Sequence, residues 1–357
     1  MATVKTMRYI GNKTDHLEFI ESVLDSLMRT YKGKLELEPT LFDGFGGTGA
    51  VTQYFNQRGY RVISNDINNY AYKLCFSRNN VTANDLTFAG LNMNIDNILS
   101  YLNTCMKKGF IYENYSPNQS CQYERKYFTN ENAEIIDGIR CQIEDWYKSQ
   151  KITQKEYIHL VAILIETASL YSNIPGTYGS FLKNWDPRAL KTLKLDIETH
   201  KNLLCSVNPV DNKTYNDDIR NIVKTANYDI MYLDPPYNER DYATYYHVLE
   251  TISKYDYPEL KDNKTGTKKK SARSSWCRKK MVIDELDYVV KNSNAKLVLL
   301  SYNNEGIMRQ EDIKEVFEKY GTYSSHKKEV KRFKCNETKN NSVVYEYLHI
   351  MERFLEC

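Results

Sequence analysis

The chain has 357 residues, 41% hydrophobic and 27% charged, a balance that supports a large buried core and argues against an intrinsically disordered protein. Its longest apolar run, "LVAILI" at 160–165, falls far short of membrane length, and "MATVKTMRYIGNK" lacks a signal-peptide core, so a cytoplasmic protein with no membrane association is expected. The net charge of +3 hides two basic stretches: residues 261–280 hold nine Lys or Arg against one Asp, and residues 326–334 hold five against one Glu, which leaves the remainder at −9.

In chain order, residues 14–31 carry Leu17, Ile20, Val23, Leu24, Leu27 and Tyr31 at helical spacing, and Gly33 stops that helix. "PTLFDGFGGTGA" (39–50) predicts a short buried strand, Thr40 to Phe42, a glycine-rich turn, and a helix from about Ala50 with Val51, Tyr54 and Phe55 on its apolar face. "YRVISND" (60–66) is a second strand ending in an acid, followed by a helix, which makes a β-α-β unit and hence a parallel sheet. Beyond residue 80 the sequence turns polar, tyrosine-rich and helical. Thr129 or Asn130 caps a helix carrying Ile135, Ile136, Ile139, Ile143 and Trp146, and Thr153 with Glu156 forms a capping box before the next, whose core face is Tyr157, Leu160, Val161, Leu164 and Ala168. Sheet-like sequence returns at "YDIMYLD" (228–234) and "AKLVLLSYN" (295–303). Two alternating runs around "CNETKNN" then predict a C-terminal hairpin. Residues 81–209 are therefore expected to form an inserted module between the segments 1–80 and 210–357, which make up the main domain.

Three constellations carry chemistry. In "DGFGGTG" (43–49), Phe45, Gly47 and Gly49 give a tight strand-to-helix turn that lets backbone approach a ligand. Alone this pattern is weak, but Asp66 ends the next strand and can accept both hydroxyls of a ribose, which points to an adenosyl cofactor without naming it. A nicotinamide-dependent oxidoreductase shares that layout. The third, "DPPY" (234–237), separates the candidates. Asp234 offers carboxylate oxygens and Pro235 a carbonyl with no competing N–H, so two acceptors face one point and fit a planar amino group. Tyr237 supplies a flat ring for a purine. No hydride-relay residue stands out among the six histidines, and none of them is given a role. The eight cysteines form no C-x-x-C pair, so they read as reduced thiols and no metal site is expected.

With "RYIGNK" (8–13), "DGFGGTG", "SND" (64–66), "YNDD" (215–218), "DPPYNERDYATYYHVLE" (234–250) and "EYL" (346–348), the chain resembles the adenine-specific DNA methyltransferases of restriction-modification systems. That resemblance implies a Rossmann-like α/β fold with a mostly parallel seven-stranded sheet, a C-terminal β-hairpin and an inserted, mainly helical target-recognition domain. It also implies S-adenosylmethionine as cofactor and a flipped adenine of double-stranded DNA as substrate. Tyr9, Gly11 and Lys13 match the motif that holds the methionine end of the cofactor; Asp43, Phe45, Gly47 and Gly49 match its loop; and Asp66 matches the ribose acid. Asp218, with Asp217 as its neighbour, matches the acid on the cofactor's adenine, and Asp234, Pro235, Pro236 and Tyr237 match the catalytic motif. A relative acting on cytosine in DNA or adenine in RNA shares the chemistry, but serine or asparagine is more usual there in place of Asp234. A monomer is expected, with a cognate endonuclease encoded alongside. The basic stretch 261–280 follows the catalytic motif by a short helix and is expected to touch DNA phosphates rather than form a solvated loop. Trp276 within it either stacks on a base or packs locally.

Overall fold

The computed structural model describes residues 7, 13–30, 39–118, 122–206, 211–239, 242–270, 274–330 and 344–354. Tyr9, Gly11, the helix stop at Gly33 and the hairpin turn "CNETKNN" lie outside the described residues. Two compact units make up the chain: a helical unit of Met1–Gly11, Asn68–Pro209 and Tyr242–Ala272, and a sheet unit of Asn12–Ile67, Val210–Asp241 and Arg273–Cys357.

The sheet unit holds seven strands: β1 (Thr40–Asp43), β2 (Arg61–Asn65), β3 (Lys213–Tyr215), β4 (Ile230–Leu233), β5 (Leu297–Asn303), β6 (Gly321–Val330) and β7 (Val344–Arg353). They lie in the order β3-β2-β1-β4-β5-β7-β6. The first five run parallel, while β7 is antiparallel to both β5 and β6, so the expected mostly parallel sheet ends in the expected hairpin. Side chains alternate between two buried faces, as they must in a sheet covered on both sides. Leu41, Ile230, Tyr232, Leu297 and Leu299 meet the helices Leu17–Thr30 and Ala50–Asn56 through Leu17, Ile20, Leu24, Val51 and Phe55. Phe42, Met231, Leu233, Val298 and Leu300 meet the helices Val282–Asn292 and Gln310–Glu318 through Val282, Leu286, Val289, Ile313 and Phe317. Strand β3 has no counterpart in the sequence reading. It is three residues long, polar and at the sheet edge, and so lacks the apolar pattern that announces a strand.

No named strand lies in the helical unit among the described residues. Thr129 is the cap of helix Asn130–Lys148, accepting from the Asn132 N–H at 3.1 Å, and both bonds of the Thr153–Glu156 capping box are formed. The helix Gln154–Leu170 is buried on nearly every side from Ile158 to Ser169, wider than its predicted stripe, because it packs against Asn69–Asn80, Asn130–Lys148 and His247–Lys254. Two of the buried charges inside this unit are well compensated: Arg78 meets Glu166 at 2.7 Å, and the Asp137 carboxylate accepts from the N–H groups of Gly109, Ile111 and Tyr112 and from the Tyr255 hydroxyl. Among the described residues no helix is long and apolar enough to cross a membrane.

Candidate active site

In the sheet unit the sequential strands β1 and β2 lie on one side and β4 on the other, so the carboxyl ends of β1 and β4 flank the point where strand order reverses, the usual place for a ligand in such sheets. Asp43 ends β1 and Asp234 follows β4, with Asp43 in register with Tyr232. The glycine loop continues the pairing across three strand ends: Gly44 N–H donates to the Tyr232 carbonyl at 3.0 Å, and Gly46 N–H to the Asn65 carbonyl at 2.9 Å. Gly47 and Gly49 adopt φ of 55° and 78°, a conformation that L side chains avoid, and Gly49 leads directly into helix Ala50–Asn56. Close packing also limits the loop, since a Cβ on Gly44 would stand 2.6 Å from Ile219 Cδ1.

Around that loop the acids converge. Asp66 Oδ2 accepts from the Gly47 N–H at 2.9 Å, which ties the ribose candidate to the turn. Thr52 donates to Asp43 Oδ2 at 2.6 Å, while Asp43 Oδ1 is buried and has no hydrogen-bond partner among the described residues. Burial, reinforced by the charges of Asp234 and Asp66, pushes the Asp43 carboxyl up to about 7. Asn216 donates to the carbonyls of Asp66 and Ile67 at 2.8 and 3.1 Å, which stitches residues 216–218 to the end of β2. Asp218 caps the short helix Ile219–Ile222 by accepting from the Arg220 N–H at 2.9 Å, and Asp217 accepts from the Asp218 N–H and from Asn221. Phe45 packs edge-on against Trp276 at 5.0 Å, and Trp276 is buried; of its two sequence-level roles, it takes the local one.

The "DPPY" residues form a second cluster. Lys13 Nζ lies 3.0 Å from Asp234 Oδ1, 2.8 Å from the Tyr237 hydroxyl and 3.3 Å from Glu346 Oε1. The Tyr237 hydroxyl is positioned to donate to Asp234 Oδ1 at 2.8 Å or to Glu346 Oε1. Every bond to the Asp234 carboxylate ends on Oδ1; among the described residues nothing donates to its Oδ2 or to the Pro235 carbonyl. Burial raises the Asp234 carboxyl, Lys13 opposes that shift, and Glu346 adds to it. Burial alone would lower the Lys13 ammonium, yet the two carboxylates outweigh it and the net shift is upward. Pro235 is buried and Pro236 half-buried. The Tyr237 ring has Tyr302 at 4.8 Å and Lys13 Nζ at 4.9 Å from its centroid, and its carbonyl accepts from the Ile307 N–H at 2.9 Å.

Thus Lys13, Asp43, Phe45, Gly47, Gly49, Asp66, Asp218, Asp234, Pro235, Pro236 and Tyr237 all belong to the sheet unit, with the glycine loop laid over the ends of β1, β2 and β4. Sequence reasoning gave no role to Glu346 or Ile67. Glu346 is an acid buried on the face of β7 that otherwise carries Val344, Leu348 and Ile350, a break in the apolar alternation that was legible. Ile67 is an apolar side chain left 58% exposed directly after Asp66.

The first half of the basic stretch belongs to the helical unit, where its backbone is braced: Tyr123, Arg125, Tyr127 and Tyr115 donate to the carbonyls of Asp262, Asn263, Thr265 and Gly266. Beside it an open groove of about 320 Å³ is lined by Gln122, Tyr123, Glu124, Lys126, Phe181, Lys183 and Lys264. His247 is a core histidine whose Nδ1 and Nε2 face the carbonyls of Thr244 and Thr265, and burial lowers it to about 4.

A family model described as D12 class N6 adenine-specific DNA methyltransferase matches residues 9–316. The chain is 36% identical over 358 residues to the type II methyltransferase M.FokI of Planomicrobium okeanokoites, covering 97% of this chain and 53% of that protein. It is 34% identical to the type II methyltransferase M.NlaIII of Neisseria lactamica, covering 97% of this chain and 99% of that protein. To the modification methylase StsI of Streptococcus sanguinis it is 32% identical, over 97% of this chain and 52% of that protein. It therefore spans about half the length of two of these relatives and nearly all of the third. With the glycine loop, the strand-ending acids and this match in agreement, the chain belongs to the D12 class of N6 adenine-specific DNA methyltransferases.

Proposed function

We propose that this chain transfers a methyl group from S-adenosylmethionine to the N6 amino group of an adenine in duplex DNA, as the modification enzyme of a restriction-modification system. One observation carries the reading: at the end of β4, Asp234 Oδ2 and the Pro235 carbonyl are two acceptors to which no described residue donates, next to the strand that opens into the glycine loop. A primary amine with two N–H donors fits them.

The residues fit the cofactor. Gly47 and Gly49 let backbone come close to an adenosyl group, Asp66 would hold the ribose hydroxyls, and Asp218, at the end of a segment stitched to Asp66, would take the adenine edge. Ile67 offers exposed apolar surface to the same base. The unpartnered Asp43 Oδ1 suits the cofactor's ammonium or a water bound to it. Tyr9 and Gly11 retain their proposed role at the methionine end, together with Lys13. S-adenosylmethionine supplies a sulfonium methyl already activated for transfer, so neither a metal nor a covalent nucleophile is required.

What the chain itself does is align and stabilise. Asp234 and Pro235 orient the amine, drawing its lone pair out of conjugation with the ring, and the carboxylate stabilises the positive charge that develops on nitrogen. Asp234 then accepts the departing proton. The Tyr237 ring offers a face to the purine. Extrusion of that purine from the duplex costs on the order of a few kcal/mol, offset by contacts to the DNA. Residues 81–209 are proposed as the target-recognition domain. The groove with Lys126, Lys183 and Lys264 suits a phosphodiester backbone, its aromatic members supplying apolar contact. The working form is proposed as a cytoplasmic monomer with a partner endonuclease.

The test incubates the purified chain with duplex DNA and methyl-labelled S-adenosylmethionine, then digests the DNA to nucleosides. Label in N6-methyladenosine is expected. Label in a methylcytosine, or labelling of structured RNA in preference to duplex DNA, would overturn the reading.

A further inference from the structure

The cluster around Lys13 contains more negative charge than the alignment of an amine by Asp234 requires. Two carboxylates, Asp234 and Glu346, share one ammonium and one phenol hydroxyl. The hydroxyl has a single hydrogen, so it serves one carboxylate at a time. Lys13 stands within 3.3 Å of both, and with both acids ionised the group keeps a net charge of −1 in a site where Lys13 is 5%, Glu346 8% and Asp234 16% exposed. Burying a second acid beside the first is costly unless it has a purpose.

We propose that Glu346 is a positioning residue for the transfer reaction: by drawing Lys13 and the Tyr237 hydroxyl partly to itself, it keeps Asp234 from being neutralised, so that Asp234 still carries charge for the amine that turns cationic. Without Glu346, the ammonium and the hydroxyl would both belong to Asp234, and the pair facing the amine would be neutral. Stabilisation of developing positive charge in a water-poor pocket depends on that difference. Burial is the main cause of the raised Asp234 carboxyl; beside it Lys13 lowers the proton affinity and Glu346 raises it, so Glu346 offsets part of the Lys13 field at the ionised Asp234. Among the described residues, other charged or titratable groups facing the cluster are Asp43 and Tyr232 from β1 and β4, and His16, which faces Glu346 from the start of the first helix. The inference rests on the methyl-transfer reading above.

Glu346→Gln separates charge from hydrogen bonding, because the amide oxygen still accepts from Lys13 and Tyr237. In single-turnover methyl transfer, Glu346→Gln is expected to lower the rate about tenfold or more at neutral pH. The KM for duplex DNA should stay unchanged and the acid limb of the pH profile should move to lower pH. Glu346→Asp keeps the charge and should retain the wild-type acid limb with a smaller loss of rate. A second readout needs no turnover: infrared titration of the protonated carboxyl band in protein labelled at aspartate, assigned by its loss in Asp234→Asn. That band should titrate at lower pH in Glu346→Gln than in wild type. Wild-type rate and an unmoved titration in Glu346→Gln would overturn the role of Glu346 while leaving the transferase reading intact. Absence of methyl transfer by the wild type would sink that reading instead, and the infrared shift would still decide whether Glu346 sets the charge of Asp234. Should Glu346→Gln fail to bind S-adenosylhomocysteine, the Glu346→Asp profile decides: an acid limb displaced despite the retained charge contradicts the proposal.

Discussion

Two buried acids of the helical unit and two acids at the strand ends of the sheet unit's site are engaged in opposite ways. In the helical unit Asp137 uses both oxygens, on three backbone N–H groups and the Tyr255 hydroxyl, and Glu156 uses both of its own, on the N–H groups of Phe88 and Thr153. At the site in the sheet unit, Asp43 Oδ1 has no partner and Asp234 Oδ2 receives no hydrogen bond among the described residues, although both acids stand at neighbouring strand ends. An acid with both oxygens engaged ties its neighbours together, whereas an oxygen left over at the strand ends beside the glycine loop can take up a ligand. Replacing acids of each kind should therefore break different properties.

The largest effect is expected at Asp234. Asp234→Ala should reduce methyl transfer about a hundredfold to a thousandfold, with S-adenosylhomocysteine still raising the melting temperature. Loss of the thermal shift together with the activity would make Asp234 structural instead. Asp137→Ala should do the reverse, lowering unfolding stability by about 3 kcal/mol in urea because buried N–H groups lose their acceptor. At permissive temperature its transfer rate should stay near that of wild type.

A subtler contrast concerns pH. The folded Asp43 carboxyl holds its proton up to about 7 against an ordinary value of 3.8, so across that window the folded state binds more protons than the unfolded one and stability falls as pH rises. Asp43→Asn does not titrate, and its melting temperature should decline less than that of wild type between pH 5 and 8, the range being about that over which the carboxyl ionises. An identical decline in both proteins would contradict the burial argument. The smallest effect is expected from Lys126, Lys183 and Lys264 changed together to Gln: the log–log salt slope of DNA binding should flatten by about 2 to 3. An unchanged slope would place the phosphate contacts elsewhere.

How much of this was legible beforehand follows from the same physics. Strands β4 and β5 announce themselves because both their faces are buried and their residues are almost all apolar, β1 and β2 show as the apolar pairs Leu41–Phe42 and Val62–Ile63 ahead of a turn, and the hairpin alternates as an antiparallel pair should. Thr153 and Glu156 declared a helix start because capping is local chemistry. Strand β3 stayed hidden, since Lys213–Tyr215 owes its conformation to pairing with β2 rather than to its own side chains. The acids of the site were visible as motif residues, Glu346 among them as the first residue of "EYL", yet its pairing with Lys13 was not: the two are 333 positions apart in the sequence and meet only because β7 pairs with β5. Proximity across the sheet is the one property that a linear pattern does not encode.

The central claim is that the ends of β1, β2 and β4 hold the donor while Asp234 and Pro235 hold the acceptor. A crystal structure with S-adenosylhomocysteine tests it most directly. The account predicts the ribose hydroxyls on Asp66, the purine beside Ile67 and Asp218, and the sulfur facing the Asp234 side of the loop. Electron density for the adenosyl group anywhere else, with residues 43–49 making no contact to it, would contradict the account.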